Sequence, residues 1–343
     1  MGFSIIGEGF SKAKSEASEE HKIAYTSDGK LWLASLTGAN QDKYSYYHRT
    51  MLLGGYLLSF DISSNKWLHE ADFPEIDSDE NREDQLFSWR DHLFMLVYSR
   101  YGGFKLRQLL EWNRTEKKWT ALASFQVDKA CDKESKEETE RYRFTLASSP
   151  IHSDTFYFLV SGGGNISVSK LALSQDSNGK IDKASVSQLM DMWSLSVRFL
   201  ATGGFISIAA SHKDQLYCIG LSHGCGYHWE PEQILVLDLN EKSHKILKMS
   251  SENRPPWAFN GPNQPVMLGS KWTMVGGSKA RGMQNTEFEP QIWHLNVDGD
   301  SAAWVKEASS VPDGVKECGL LITSDGRDTV FVCDVNNLYA GTV

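Results

Sequence analysis

The stretch Gly220-Leu-Ser-His-Gly224 satisfies the G-x-S-x-G spacing of a nucleophile elbow, with Ser222 as the would-be nucleophile. That chemistry needs a strand, a sharp turn and then a helix to lift the serine out of the sheet. Here CGYHWEPE and another apolar run follow, so a hydrolase elbow is not expected. His223, Cys225 and His228 lie close together, as zinc ligands would, but no fourth ligand at a familiar spacing accompanies them. No GxxxxGK[ST] loop and no GxGxxG opening a helix offers a cradle for phosphates. The residues therefore predict no catalytic set, no metal and no cofactor.

A second group has a different chemistry. Arg49, Arg100, Arg198, Arg254 and Arg281 fall in long polar segments, interleaved with Tyr47, Tyr101, Trp193, Trp229, Trp257 and His228. Aromatic residues and arginine dominate the hot spots of interfaces, and a guanidinium grips a carboxylate or phosphate through two parallel bonds. The set suits a protein or peptide partner, an acidic one in particular. The competing use is a glycan or other small molecule, with Trp229 and Trp257 stacking on it and His228 supplying acid–base chemistry, as a hydrolase would need.

Composition bounds the partners further. Asp and Glu outnumber Lys and Arg by 44 to 35, a formal net charge of -9, which opposes a nucleic-acid backbone. The amino-terminal residues lack a basic region followed by a long apolar run, and no stretch approaches a membrane span. The five cysteines show no CxxC spacing and read as free thiols of a reducing compartment. The expectation is a cytoplasmic or nuclear protein that binds neither nucleic acid nor membrane.

The elements that must position these residues are strands. Apolar runs of four to seven residues, broken by Gly, Asp, Asn and Ser, recur throughout, and long stretches of helical periodicity are nearly absent. HKIAY, TSDGK and LWLASL form a hairpin with Asp-Gly at its tip. Equivalent turns fall at Asp28, Asp91, Asp154, Asp214, Ser270 and Asp325, spaced 63, 63, 60, 56 and 55 residues apart. Each hairpin but the last is followed by a second pair of strands, such as GYLLSFDISSNKWLHEA, and four strands per unit describe a propeller blade.

The last unit is one strand short, and the apolar residues 3–8 have no unit of their own. The sequence therefore predicts an all-β, six-bladed β-propeller closed by the amino-terminal strand joining the last blade. The expected blades are 21–70, 85–125, 143–189, 204–249, 264–308 and 318–343, with 3–8 completing the last. In each blade the first-to-second and third-to-fourth turns share one end of the disc and are short. The connections at the other end are long, and rigid scaffolds usually carry binding on such segments.

WTMVGG at Trp272–Gly277, FYFLVSGG at Phe156–Gly163, and the pairs Phe60 with Trp67 and Trp112 with Trp119 resemble the kelch-repeat propeller superfamily. That resemblance implies a non-catalytic interaction module that binds partners on the long-connection face. In physical terms, the glycines permit close approach of strands and the aromatics fill the wedge between blades.

Overall fold

The computed structural model describes residues 2–8, 18–40, 50–73, 82–99, 105–124, 143–149, 151–162, 165–192, 205–210, 214–220, 233–249, 266–276, 278–280, 286–288, 290–312, 315, 321–334 and 337–342. All regular structure among them is strand. β1 is Gly2–Glu8. A four-stranded antiparallel sheet follows, made of β2 (Ser18–Thr26), β3 (Lys30–Asn40), β4 (Thr50–Asp61) and β5 (Lys66–Phe73). The next contains β6 (Arg82–Trp89), β7 (His92–Ser99), β8 (Lys105–Asn113) and β9 (Lys118–Ser124). A third contains β10 (Arg143–Ser148), β11 (Thr155–Gly162), β12 (Asn165–Gln175) and β13 (Ile181–Met192).

An eight-stranded sheet comes next. Its first four strands are β14 (Phe205–Ala210), β15 (Gln215–Gly220), β16 (Gln233–Asp238) and β17 (Ser243–Met249). Its other four are β18 (Val266–Leu268), β19 (Lys271–Val275), β22 (Gln291–Asp298) and β23 (Ser301–Ser310). The halves join only where Lys248 and Met249 of β17 lie parallel to Ser301 and Ala302 of β23. Between β19 and β22 a separate hairpin is inserted, β20 (Ser278–Ala280) against β21 (Thr286–Phe288). The last sheet holds β24 (Leu321–Ser324), β25 (Thr329–Cys333) and β26 (Asn337–Thr342), and β1 pairs antiparallel with β26 from Gly2↔Thr342 to Glu8↔Asn337.

Burial explains why the second strand of a sheet reads as an unbroken apolar run. Leu31, Trp32, Leu33 and Ala34 of β3 are all buried, as are Leu93 to Val97 of β7 and Val330 to Cys333 of β25. Each such strand is covered on both faces by neighbouring sheets, so alternation is lost. The fourth strands alternate or are largely exposed, as in β17.

Apolar clusters fill the spaces between successive sheets. Trp32, Ala34 and Leu57 meet Leu93, Met95 and Trp112 between the β2–β5 and β6–β9 sheets. Phe87, Phe94 and Leu96 meet Phe156, Phe158 and Val160 across the next space, and Tyr157, Leu159 and Val168 meet Leu216, Cys218 and Leu235 across the one after. Ile234, Val236 and Leu247 pack on Trp272, Trp293 and Trp304 between the halves of the large sheet. Val275 and Ile292 meet Val330, Val332 and Tyr339. Leu321, Phe331 and Leu338 then return to Leu31, Leu33 and Phe60 of the β2–β5 sheet. Sheets packed face to face in this succession form a β-propeller arrangement.

The turns follow from their residues. Gly29 and Gly326, in the two Ser-Asp-Gly turns, have φ of 82° and 75°, a region open to glycine at no steric cost. Three third-to-fourth turns share one design. Asp61, Asn113 and Asp238 each accept two backbone N–H bonds from residues two and three positions ahead. The chain then passes through a left-handed residue, Asn65, Lys117 or Lys242, at φ of 56°, 49° and 51°.

Three features depart from the sequence expectation. The β3–β4 ladder continues to Asn40↔Thr50, so its strands reach into the long polar segment that carries Tyr47 and Arg49. The β20–β21 hairpin adds two strands beyond the four expected of the unit 264–308, and the β17–β23 pairing has no counterpart in the repeat pattern.

Candidate functional site

The two ends of the strands differ in kind. At the turn end, Thr26 lies buried at the end of β2. Its hydroxyl donates to Asp28 Oδ1 at 2.6 Å and accepts from Trp32 Nε1 at 3.0 Å. Arg114 crosses from the β8–β9 turn, pairs with the Asp28 carboxylate, donates to the Asp91 carbonyl and stacks 5.0 Å from the centre of the Trp32 ring. Burial alone would raise the Asp28 carboxyl, but hydrogen bonds from Arg114 and Thr26 outweigh it and hold it below the usual carboxylate range.

The next space is bridged by His92. Its Nδ1 lies 2.5 Å from Glu111 Oε1, while its Nε2 lies 3.0 Å from the Gly179 carbonyl and 2.7 Å from Gln175 Nε2, both in the neighbouring sheet. The bond to Glu111 raises the His92 pKa above its ordinary value, against an opposing effect of burial. Trp89 Nε1 donates to the Ser153 carbonyl at 2.5 Å across the same space. Serines near the turn end of first strands recur in this role: Ser88 Oγ donates to the Tyr25 carbonyl, and Ser324 Oγ to the Met267 carbonyl. The polar groups of this end thus tie sheet to sheet.

At the opposite end, strands are connected through 74–81, 100–104, 125–142, 193–204, 221–232 and 250–265, and 41–49 and 281–285 connect the strands of the β3–β4 and β20–β21 hairpins. Arg49, Arg100, Arg198, Arg254, Arg281, Tyr47, Tyr101, Trp193, Trp229, Trp257 and His228 all fall in such connecting segments and lie outside the described residues. Ser222, His223 and Cys225 lie outside them too. Two strand hairpins, β3–β4 and β20–β21, mark this end in the sheets on either side of the β24–β26 sheet.

The described part of this end also holds Asp334, the one buried carboxylate among the described residues. Its Oδ1 accepts from the Asn337 backbone at 2.6 Å, and Asn337 Nδ2 donates to the Tyr339 hydroxyl at 3.0 Å. Burial, with the Asp334 charge adding to it, pushes the Tyr339 phenol upward.

Among the described residues no group of three or more His, Cys, Asp and Glu side chains is placed to hold a metal ion. Cys218 and Cys333 are buried and form no disulfide, and burial pushes the Cys218 thiol upward, away from the reactive thiolate. His294 spans three strands, with Nδ1 2.8 Å from Thr273 Oγ1 and Nε2 3.0 Å from Glu307 Oε1. The order Thr–His–Glu imitates a catalytic triad, but Thr273 is fully buried and no substrate reaches its hydroxyl. Among the described residues no helix is long and apolar enough to cross a membrane.

No family model matches the chain, and no curated protein matches it in sequence. Solved structures do match in fold. The GH93 α-L-arabinofuranosidase of Fusarium graminearum, solved with arabinobiose, superposes with a TM-score of 0.53 at 10% identity, covering 99% of this chain and 97% of that one. A protein of unknown function from Dyadobacter fermentans gives 0.51 at 12% identity, over 99% and 98%. The oligogalacturonate lyase of Vibrio parahaemolyticus gives 0.42 at 9% identity, over 89% of this chain and 69% of that one. The fold is a β-propeller. Identities this low speak to the fold alone.

Proposed function

We propose that the chain is a six-bladed β-propeller that binds a carbohydrate at the end opposite its tight turns. In this reading the eight-stranded sheet counts as two blades, and residues 3–8 complete the blade of 318–343. The others are 21–70, 85–125, 143–189, 204–249 and 264–308. The apolar clusters that lead from the β2–β5 sheet back to itself support that count.

The observation that carries the functional reading is the division between the two ends. At the turn end, Asp28, Arg114, His92 and Glu111 bind one another and the neighbouring sheet. The long connecting segments, with Trp229, Trp257 and His228, belong to the other end. Tryptophan faces stack on the apolar face of a sugar ring, and an imidazole titrating near neutrality can move a proton at a glycosidic oxygen. A sugar-bound neighbour of the same fold, matched end to end, supports a carbohydrate over other small molecules.

The test is a thermal-shift and calorimetric panel with arabinobiose and oligogalacturonate on the wild-type chain and on Trp229→Ala and Trp257→Ala. The expected result is binding of at least one saccharide that either substitution weakens roughly tenfold or more. No binding to either saccharide by the wild type would reject the reading, as would variants that bind as tightly as it does.

A second reading keeps the same end and replaces the sugar with an acidic protein or peptide. The concentration of Arg49, Arg100, Arg198, Arg254 and Arg281 in these segments, beside Tyr47, Tyr101 and Trp193, favours it. The resemblance of its motifs to kelch repeats belongs to this reading. Its motif pairs are genuine cross-strand partners: Phe60 opposes Trp67 with ring centres 5.1 Å apart, and Trp112 opposes Trp119 at 5.4 Å. Partner capture that fails in an Arg198→Ala, Arg254→Ala, Arg281→Ala variant, with no saccharide bound, would favour this second reading.

A further inference from the structure

We propose that His92 is a proton-operated clasp between the β6–β9 and β10–β13 sheets, in which gaining a proton moves the bond of its Nε2 from the Gln175 amide to the Gly179 carbonyl. The inference is independent of the ligand at the opposite end. It starts from donor and acceptor arithmetic. Nδ1 faces a carboxylate, which only accepts, so Nδ1 carries a proton in either state. Nε2 lies between two groups with opposite demands, since a carbonyl accepts and an amide nitrogen donates.

The orientation of the Gln175 amide is fixed by its other contacts. Its Oε1 accepts from Arg90 Nη1 at 2.5 Å, and its Nε2 also donates to the Gly179 carbonyl at 2.9 Å. One amide hydrogen therefore serves Gly179 and the second points to His92 Nε2. The neutral imidazole receives that hydrogen, so the Gln175 amide links His92 to the Gly179 carbonyl. A protonated imidazole cannot, because two donors would face each other at 2.7 Å. It bonds Gly179 directly and turns the Gln175 amide away, which loosens the bond that Arg90 donates to Gln175 Oε1.

The charged surroundings set where this happens. Glu111 on β8 favours the imidazolium, and Asp91, 3.6 Å from Nε2 in the β6–β7 turn, does so more weakly. Arg90 of the same turn is held through Gln175 and stacks 4.8 Å from the centre of the Trp89 ring. In the β12–β13 turn, the Asp176 carboxylate accepts from the Asn178 and Lys180 backbone, and Lys180 is the cation of that turn. Trp89 and Phe94 supply the apolar wall, at 6.5 and 6.1 Å between ring centres.

The experiment is an NMR titration of the full-length, isotope-labelled chain, following the His92 ring nitrogens and Cε1–H from pH 5 to 9. At alkaline pH the wild-type ring should carry its proton on Nδ1. Gln175→Leu removes a donor that only the neutral ring can accept, so the proton affinity of His92 should rise roughly threefold to tenfold. Glu111→Gln should lower it by a larger factor, because the lost acceptor is charged. A proton on Nε2 at alkaline pH overturns the proposal without any variant. So does a Gln175→Leu protein whose His294 titrates as in the wild type while its His92 affinity does not change. Arg90→Ala provides an independent arm, because freeing the Gln175 amide should also raise the affinity, and a fall would count against the clasp.

Discussion

The seams from β2 to β13 and the seam inside the eight-stranded sheet join neighbouring sheets by different means. In the first group an apolar core is supplemented at the turn end by polar and charged clasps, Arg114 with Asp28, and His92, backed by Glu111 of its own sheet, with Gly179 and Gln175. In the second, Trp272, Trp293 and Trp304 fill the wedge, two residues of β17 share backbone pairing with β23, and the charged contact across it, Lys245 with Asp300, lies exposed in water, where an ion pair contributes little. A tryptophan seam depends on area removed from water and is indifferent to pH and salt near neutrality. A charged clasp responds to both. One fold therefore holds joints of two sensitivities.

The largest test of that contrast is Trp304→Ala. Trp304 is fully buried, and its loss should cost about 3–5 kcal/mol in urea unfolding, equally at low and high salt. Arg114→Ala should cost less, about 1–2 kcal/mol, and a large part of that should disappear in 1 M salt. If the arginine variant proves the more damaging of the two, the ranking of the seams is reversed.

Acid separates them further. The Asp28 pKa is depressed, so its contribution is present above its ordinary value of 3.8 and is lost as pH falls through the lower folded value. Asp28→Asn should flatten the acid limb of the stability profile, measured between pH 5 and 2, whereas Trp304→Ala should shift the whole profile without changing its shape.

Two histidines give smaller effects of opposite sign. The raised pKa of His92 makes its contribution full below 6.5 and lost as pH rises through the folded value. The pKa of His294 is lowered, by burial first, so its contribution is full above 6.5 and lost as pH falls through the folded value. Melting curves from pH 5 to 8.5 should show the alkaline decline reduced in His92→Gln and the acid decline reduced in His294→Gln. Smallest is Lys242→Gly, which should add roughly 0.5–1 kcal/mol by relieving a left-handed residue, read as a higher urea midpoint.

Much of the fold is legible in the chain because its turns are chemically specified. Asp28-Gly29 and Asp325-Gly326 need the conformation that glycine supplies, and the runs after them are apolar because both faces of a second strand are covered. Phe60 with Trp67 and Trp112 with Trp119 are visible as spaced pairs and become opposed residues. The clasps are not legible. Arg114 meets Asp28 across 86 positions and His92 meets Gly179 across 87, and nothing in a linear pattern reports such a meeting. The β20–β21 hairpin escapes notice because three-residue strands have too little period to detect. The proposed site was legible only as composition, since aromatic and arginine residues announce a surface without fixing its shape.

The pairing of β1 with β26 sets an order in time during synthesis. β1 leaves the ribosome more than three hundred positions ahead of its partner. At ordinary elongation rates that is on the order of tens of seconds. Through that interval the nascent chain carries an unpaired strand with Ile5, 65% exposed even in the finished sheet, along one edge. Completion of the last sheet thus follows synthesis of the intervening sheets, and is a step open to capture by a chaperone or by another nascent copy.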